Sequence, residues 1–279
     1  MGGTEANFWR LGLATAFLAL WAHTFGQGLS GVSFPWFLLS GLVGVGADVF
    51  LFQALPRIGS RLSLLIIQCS SALSAATLEW LWLGTKLSGS QMVACAIILA
   101  GVAVALAPGR HLNIPRVVLA AGVCHGLLAG FGNGFGAVLS RKAYAVAAAA
   151  GLGIDGATAA YQRLIGGLFV AGVCLLVVKR REISSHWGAS SPVTPAPDKW
   201  RLAWPWVLLN GFFGQTLGVS CYQWALRTTP TGLVLAIVAT TPLVVIPFAQ
   251  RFEGEPFHRR SLLGGIIAVA GAIFLALVR

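Results

Sequence analysis

Long apolar runs separated by short polar links organise this chain. Nine runs of about 20 mostly apolar residues lie at 8–28, 34–55, 61–83, 90–107, 116–139, 160–178, 203–225, 231–250 and 261–278. At 1.5 Å of rise per residue, each can cross a hydrocarbon layer of about 30 Å as a helix. No run alternates with period two, so barrel strands are excluded and helices remain as the way to satisfy the backbone in lipid. Most links are short, which predicts antiparallel neighbours. Two are longer. One follows Arg141-Lys142 and is alanine-rich over 143–160, a candidate extension of the helix before it. The other, at about 179–204, carries Pro192, Pro195 and Pro197 and reads as a polar loop. The expected fold is all-α, a polytopic membrane helical bundle of about nine transmembrane helices.

Composition agrees with lipid as the solvent. Charged residues are 10% of the 279 and hydrophobic residues 57%, whereas soluble domains carry about 25% charge. A soluble core of this size has too little interior to hide so much apolar surface. The net charge of +11 raises nucleic acid as a partner. However, Lys and Arg cap the apolar runs and form no continuous basic face, so anionic lipid headgroups account for them and no nucleic acid is expected. The N-terminal end and the second, fourth, sixth and eighth links hold 13 of these cations, and the remaining links and C-terminus hold 6. The positive-inside rule then puts the loop at 179–204 in the cytoplasm and the C-terminus outside, in a multi-pass protein of the cell inner (plasma) membrane. Residues 1–7 lack a basic n-region and a small-residue cleavage site, so the first run is expected to remain as a membrane helix. Cys69, Cys95, Cys124, Cys174 and Cys221 lie inside apolar runs without a CxxC pair. Buried structural thiols are expected, with no metal site and no cofactor.

The chain repeats itself. Gly41-Leu-Val-Gly44 through Phe52-Gln53 matches Gly211-Phe-Phe-Gly214 through Tyr222-Gln223 at an offset of 170. Ala54-Leu55 then falls opposite Ala225-Leu226, and Ile97-Ile-Leu-Ala-Gly101 matches Ile267-Ala-Val-Ala-Gly271. Trp9-Arg10-Leu11 opens the first run as Gln162-Arg163-Leu164 opens the sixth. Residues 1–109 thus form one copy with four spans, and 110–279 a second with five, including the polar loop. Copies offset by five helices insert upside down relative to each other, the inverted arrangement of many secondary transporters.

On these residues the chain resembles the drug/metabolite transporter superfamily, specifically EamA-type exporters with two five-helix repeats. The resemblance runs from about Phe8 to Val278. It is carried by Gln53-Ala54-Leu55 with Gln223 to Leu226, and by the closing helices with Leu99-Ala100-Gly101 and Val269-Ala270-Gly271. A Gly-Glu-Arg-like turn usual in the family is kept as Gly254-Glu255, while the first copy has Gly84-Thr85-Lys86. The first copy also departs in that the helix expected before Trp9 is missing, which implies either a truncated start or a nine-helix variant. The resemblance implies export of an amino acid or similar small metabolite by alternating access, and no enzyme.

Several residues are candidates for lining a pathway. The fifth run spaces Gly122, Gly126, Gly130 and Gly134 every four residues, one helix face on which a partner can pack closely. His125 and Asn133 in that run are candidate cavity contacts, with a neighbouring helix as the simpler partner for each. Asp48 and Glu79 are the two acids inside spans, where a charge costs about 2.5–3.5 kcal/mol on the insertion scale. Asp48, flanked by small residues, is the candidate proton- or cation-linked carboxylate. Glu79, beside Trp80 and Trp82 and opposite Gln250 in the other copy, is expected to snorkel to the interface. The third run carries Gln68, Ser70, Ser71 and Ser74. Its counterpart carries Thr240-Thr241-Pro242, whose proline frees a backbone carbonyl for a substrate. Gln215 and Gln223 add amides, and for any single polar group interhelical hydrogen bonding is the plainer account. Arg10 and Arg163 are expected to reach headgroups, and Trp9, Trp36, Trp80, Trp82, Trp204 and Trp206 to form the aromatic belt.

Two other readings compete with a carrier. Gly28-Leu29-Ser30-Gly31 matches the GxSG of intramembrane serine proteases, with His23 or His125 as a nominal base. No HExxH, phosphate loop or paired carboxylate accompanies it. A non-transporting membrane partner subunit is the third class, separated from a carrier by substrate flux. The expected partners are a small-molecule substrate, protons as a candidate co-substrate and membrane lipid, in a monomer or homodimer.

Overall fold

The computed structural model describes residues 3–106, 114–186, 199–243 and 259–278. Pro192, Pro195 and Pro197 of the polar loop, Gln250 and Gly254-Glu255 lie outside these residues. Helices α1 Gly3–Thr24, α2 Phe34–Leu83, α3 Gly89–Leu106, α4 Arg116–Ala149 and α5 Gly156–His186 are followed by α6 Lys199–Leu209, a π-helical stretch Asn210–Gly218, and α7 Val219–Thr228. α8 Thr231–Val238 and α9 Arg259–Leu277 complete the order. No strand occurs among the described residues. Five of these helices are long and apolar enough to cross a membrane: α2, α3, α4, α5 over Gly156–Arg180, and α9. Large apolar side chains face outward along them, with Leu81 and Val117 at 70% and 82% exposure, a surface that only lipid accommodates at this extent.

Local chemistry explains where the helices depart from the apolar runs. The runs at 34–55 and 61–83 are continuous in α2 except at Gly59, whose φ of 76° and ψ of 165° break the helix. Pro56 removes a donor just before it, and only glycine adopts that φ without a steric cost. α4 continues ten residues past the apolar run because the following segment is alanine-rich, and alanine has the highest helix propensity. Arg141 and Lys142 are therefore inside a helix and not in a link. α5 starts at Gly156, earlier than its apolar run, because Asp155 caps it. Its Oδ1 accepts the N–H groups of Ala157 and Thr158, both at 2.9 Å, and its Oδ2 accepts the Thr158 hydroxyl at 2.5 Å.

The seventh run is not uniform α-helix. Over Asn210–Gly218 the backbone widens to π geometry, and the Thr216 hydroxyl donates to the carbonyl of Gly211, five residues back, at 2.9 Å. Gly211, Gly214 and Gly218 lie in this stretch, and such widening recurs in proteins at functional sites. The eighth run is interrupted as well. α8 ends at Val238, and a turn at 239–240 precedes Pro242.

The helices group into two compact units, each taken from both sequence copies. One comprises Met1–Gly46 and Lys142–Arg227, the other Ala47–Arg141 and Thr228–Arg279. In the first unit, Leu11, Ala14, Leu18 and Ala22 of α1 pack on Ala160, Tyr161, Leu164 and Ala171 of α5. In the second, α3 and α9 lie backbone against backbone. A Cβ at Gly101 would strike Ala268 and the carbonyl of Gly264, and one at Gly264 would strike Ala105 and the carbonyl of Gly101. Gly271 faces Ile98 in the same seam. The cysteines are all free, but Cys124 and Cys221 are exposed and the other three half-buried. The expectation of buried thiols is corrected, because an apolar span in lipid presents much of its surface outward.

Candidate functional site

In the first unit the chemistry concentrates on α5. Arg163 is the eighth residue of this helix, about 10 Å along it at 1.5 Å per residue. Its guanidinium does not reach out from a helix end, as expected from the sequence; it lies over the Tyr222 ring of α7, 5.4 Å from the centroid, within range of cation–π attraction. Two glycines of α2 make room. A Cβ on Gly44 would lie 2.8 Å from an Arg163 terminal nitrogen, and one on Gly41 would overlap the Arg163 carbonyl oxygen. Gly166 of α5 similarly meets the backbone of Leu38. Arg10 also differs from its expected headgroup role. Its Nε donates to Asn7 Oδ1 at 2.8 Å and a terminal nitrogen donates to Asn210 Oδ1 at 3.3 Å, at the start of the π stretch. Gln215 is half-buried within that stretch.

A polar cluster occupies the end of this unit where α1 meets the start of α5. The His23 ring packs edge-on to Tyr161, with Nε2 3.2 Å from its hydroxyl. Gln27 donates to the Gly153 carbonyl at 2.7 Å, and buried Gln162 donates to the Gly28 carbonyl at 2.9 Å. A cleft of about 410 Å³ is lined by Ala22, His23 and residues 26–30, Gln27 and Ser30 among them. Asp155 accepts the Trp21 indole N–H at 3.2 Å. Burial pushes its carboxyl up, but the bonds from Thr158, Trp21 and Ala157 outweigh that and hold it below the usual carboxylate range. Ser30 of the GxSG pattern gives its hydroxyl proton to the Gln27 carbonyl at 2.5 Å. That hydrogen bond goes to a backbone acceptor, where a serine nucleophile would need a base.

In the second unit a buried ion pair stands where the sequence suggested an interfacial acid. Glu79 is 2% exposed, and its Oε1 accepts Arg141 Nε of α4 at 3.2 Å. Its Oε2 accepts the N–H of Thr231 at 2.5 Å and the Thr231 hydroxyl. The snorkelling expectation is corrected: a carboxylate with a cation, a helix-starting N–H and a hydroxyl is solvated by protein and needs no headgroup. One side chain thereby joins α2, α4 and the beginning of α8. Arg141 and Thr231 are functional candidates that sequence reading missed, since they lie 62 and 152 residues from Glu79.

The glycine face of α4 meets the second half of α2. A Cβ at Gly122 would strike Ile58, at Gly126 Ile66, at Gly130 Ser70 and the Ile67 carbonyl, and at Gly134 Ser74 and the Ser71 carbonyl. Ser70, Ser71 and Ser74 of that seam turn their hydroxyls to carbonyls of their own helix, on Ile66, Gln68 and Ser71. Gln68 is half-buried and Ser71 fully buried. His125 Nδ1 donates to the Ala121 carbonyl at 2.6 Å, and its ring centroid is 6.3 Å from that of Phe50. Asn133 is half-buried with no side-chain hydrogen bond to a described residue, and Asp48 is half-buried on α2. Thr241 donates to the Val238 carbonyl at 2.6 Å. This is the carbonyl that Pro242 leaves without its helical N–H, so the carbonyl expected to be open to substrate is taken by a neighbouring hydroxyl. Of the seven cavity candidates, Asp48, Gln68, Ser71, His125, Asn133 and Thr241 fall in one unit and Gln215 in the other.

Comparison with known proteins places this architecture. A crystal structure superposes with a TM-score of 0.73 over 100% of this chain and 90% of its own, at 14% identity, which establishes a shared fold. No curated protein matches the sequence. A family model described as the EamA-like transporter family matches residues 1–107 and 120–277. With nearly its whole length matched in two regions, this multi-pass membrane protein belongs to the EamA-like transporter family, within the drug/metabolite transporter superfamily.

Proposed function

We propose that the chain is a secondary transporter that exports a small metabolite, an amino acid or a solute of similar size, across the cell inner membrane by alternating access. The observation that carries this reading is irregular backbone inside apolar spans of both units. The π stretch at Asn210–Gly218 stands in one, the interruption at 239–240 in the other. Non-α backbone at membrane depth is tolerated where it lines a polar pathway or is buried in protein, and broken helices are where secondary transporters bind their cargo. The two sequence copies, 1–109 and 110–279, supply inverted halves in this reading. Binding energy must differ between inward and outward states for transport to be coupled. Asp48, a half-buried acid inside a span, is the proposed proton-linked group. Asn133, His125, Gln68, Ser71, Gln215 and Thr241 supply polar contacts along the pathway.

Expression in a bacterial host, with metabolites in the medium compared against a vector control, tests the reading. One solute class should accumulate outside, and Asn133→Leu should reduce it at equal membrane abundance. Asp48→Asn should remove the response of flux to an imposed pH gradient. Unchanged secretion despite full insertion would sink the carrier and favour a non-transporting partner subunit. Flux indifferent to both the gradient and Asp48→Asn would remove proton coupling alone.

A further inference from the structure

Helix α8 is positioned by very little that its own sequence supplies. Along Thr231–Val238, Thr231 alone has a polar side chain. The rest of the helix is apolar on every face, and Thr231 to Ala236 are all buried. Such a helix gains nothing in lipid by facing one way, since lipid tails are as apolar as leucine. Hydrophobicity therefore fixes neither its rotation nor its depth. A slip of one residue would turn it by about 100° and move it by about 1.5 Å. Apolar side chains would still meet apolar neighbours in the cluster that α8 shares with Ala94, Ile98 and Val102 of α3.

One register is distinguished at the start of the helix. Pro230, with ψ of 140°, provides no side-chain hydrogen bond as a cap. The N–H of Thr231 goes instead to Glu79 Oε2 of α2 at 2.5 Å, and the Thr231 hydroxyl donates to the same oxygen. Glu79 is thus a helix cap supplied from 152 residues away. Arg141 of α4 neutralises it at 3.2 Å. A buried ion pair is a poor source of stability, because apolar residues of similar volume often do as well in its place, and its best-attested use is to fix a registry. Gly232 marks the same place by shape: a Cβ there would lie 2.6 Å from that of Ala76, one turn before Glu79 on α2.

We infer that Glu79 is a positioning residue: with Arg141 as counter-ion, it selects one rotation and depth of α8, and so places the interruption at 239–240 that follows. The inference goes beyond the carrier reading and does not depend on flux.

The test reads register directly. Full-length protein with 4-trifluoromethylphenylalanine in place of Ile237, which is 48% exposed near the end of α8, is placed in nanodiscs and followed by fluorine NMR and thermal unfolding. The otherwise unaltered chain should give one line. Glu79→Leu combined with Arg141→Met removes both charges. It should unfold at or above the wild-type midpoint, yet show a second line above about a tenth of the intensity, a populated second state. Thr231→Pro suits a first helical position and deletes the donor while leaving the ion pair; it should split the line as well. Glu79→Arg combined with Arg141→Glu restores a pair but turns a cation towards the N–H, and should not restore the single line. A single line in the apolar pair or in Thr231→Pro would overturn the inference and leave register to Gly232. A single line in the exchanged pair would overturn it too, since an ion pair without a cap would then suffice. If the apolar pair does not fold, Thr231→Pro decides by the same reading. Failure of the carrier shows as absent secretion and leaves the line pattern as it is, so the two results are separate.

Discussion

Arg10 is the eighth residue of α1 and Arg163 the eighth of α5, and each lies where its helix crosses a glycine of the other sequence copy. Gly211 meets Arg10 and Gly41 meets Arg163. A Cβ on Gly211 would stand 3.2 Å from the Arg10 carbonyl oxygen, a tight contact that a small shift relieves. At Gly41 it would overlap the corresponding atom. The guanidinium groups differ more. Arg10 is tied to two asparagine amides, one on its own helix and one on the π stretch. Arg163 rests on an aromatic ring over a glycine floor. A repeated sequence has thus kept a backbone crossing and changed its chemistry: one arginine is bound by amides, the other lies against a ring.

Replacing Gly41 by Leu tests the tighter crossing and should have the largest effect. Overpacking against backbone that cannot yield is expected to cost about 3 kcal/mol, read as a lower thermal midpoint or as loss of folded protein on size exclusion. Arg10→Gln should follow. It forfeits two charge-assisted bonds on a half-exposed group, a loss of about 1–2 kcal/mol, read as a smaller drop in the thermal midpoint. An unchanged midpoint in Arg10→Gln would show that its two asparagine bonds hold nothing together.

Asp155→Ala removes the cap of the helix that carries Arg163, at about 1 kcal/mol near neutral pH. The folded carboxyl is held below its ordinary value. Its contribution is therefore complete above about pH 4, the unfolded value. It fades as pH falls through the lowered folded value. The stability difference between Asp155→Ala and wild type should shrink in the same direction, and a difference growing toward acid would contradict the cap. Gly211→Ala should have the smallest effect, within about 0.5 kcal/mol of wild type, because better helix propensity offsets a contact of 3.2 Å. If it destabilises as much as Gly41→Leu, the two crossings are alike after all.

Much of the fold was legible because lipid imposes length and hydrophobicity, and those are written into the runs themselves. The alanine-rich continuation of α4 was also readable from propensity. The π stretch was not, since an α-helix and a π-helix of the same apolar residues have the same hydropathy and differ in which carbonyl each donor meets. For Arg163 the signal existed. Asp155 followed by Thr158 marks a helix start four residues before the apolar run, and using it would have moved the arginine from the helix end to its interior. Glu79 was misread for another reason. Flanking tryptophans suggested an interface, whereas its partners arrive from α4 and α8, and no local pattern encodes which distant helix will bring a cation or a free N–H.

The seam between α3 and α9 has a consequence for how this chain can be divided. Gly101 and Gly271 occupy the same place in the two sequence copies, and together with Gly264 they let two helices more than 150 residues apart in the chain touch along their backbones. Neither copy contains a substitute for the other's closing helix. A half made from a separate gene would leave this glycine seam without its partner helix. Two fragments cut in the link after α3 should therefore recover each other when produced in the same cell, and remain prey to proteolysis when produced apart.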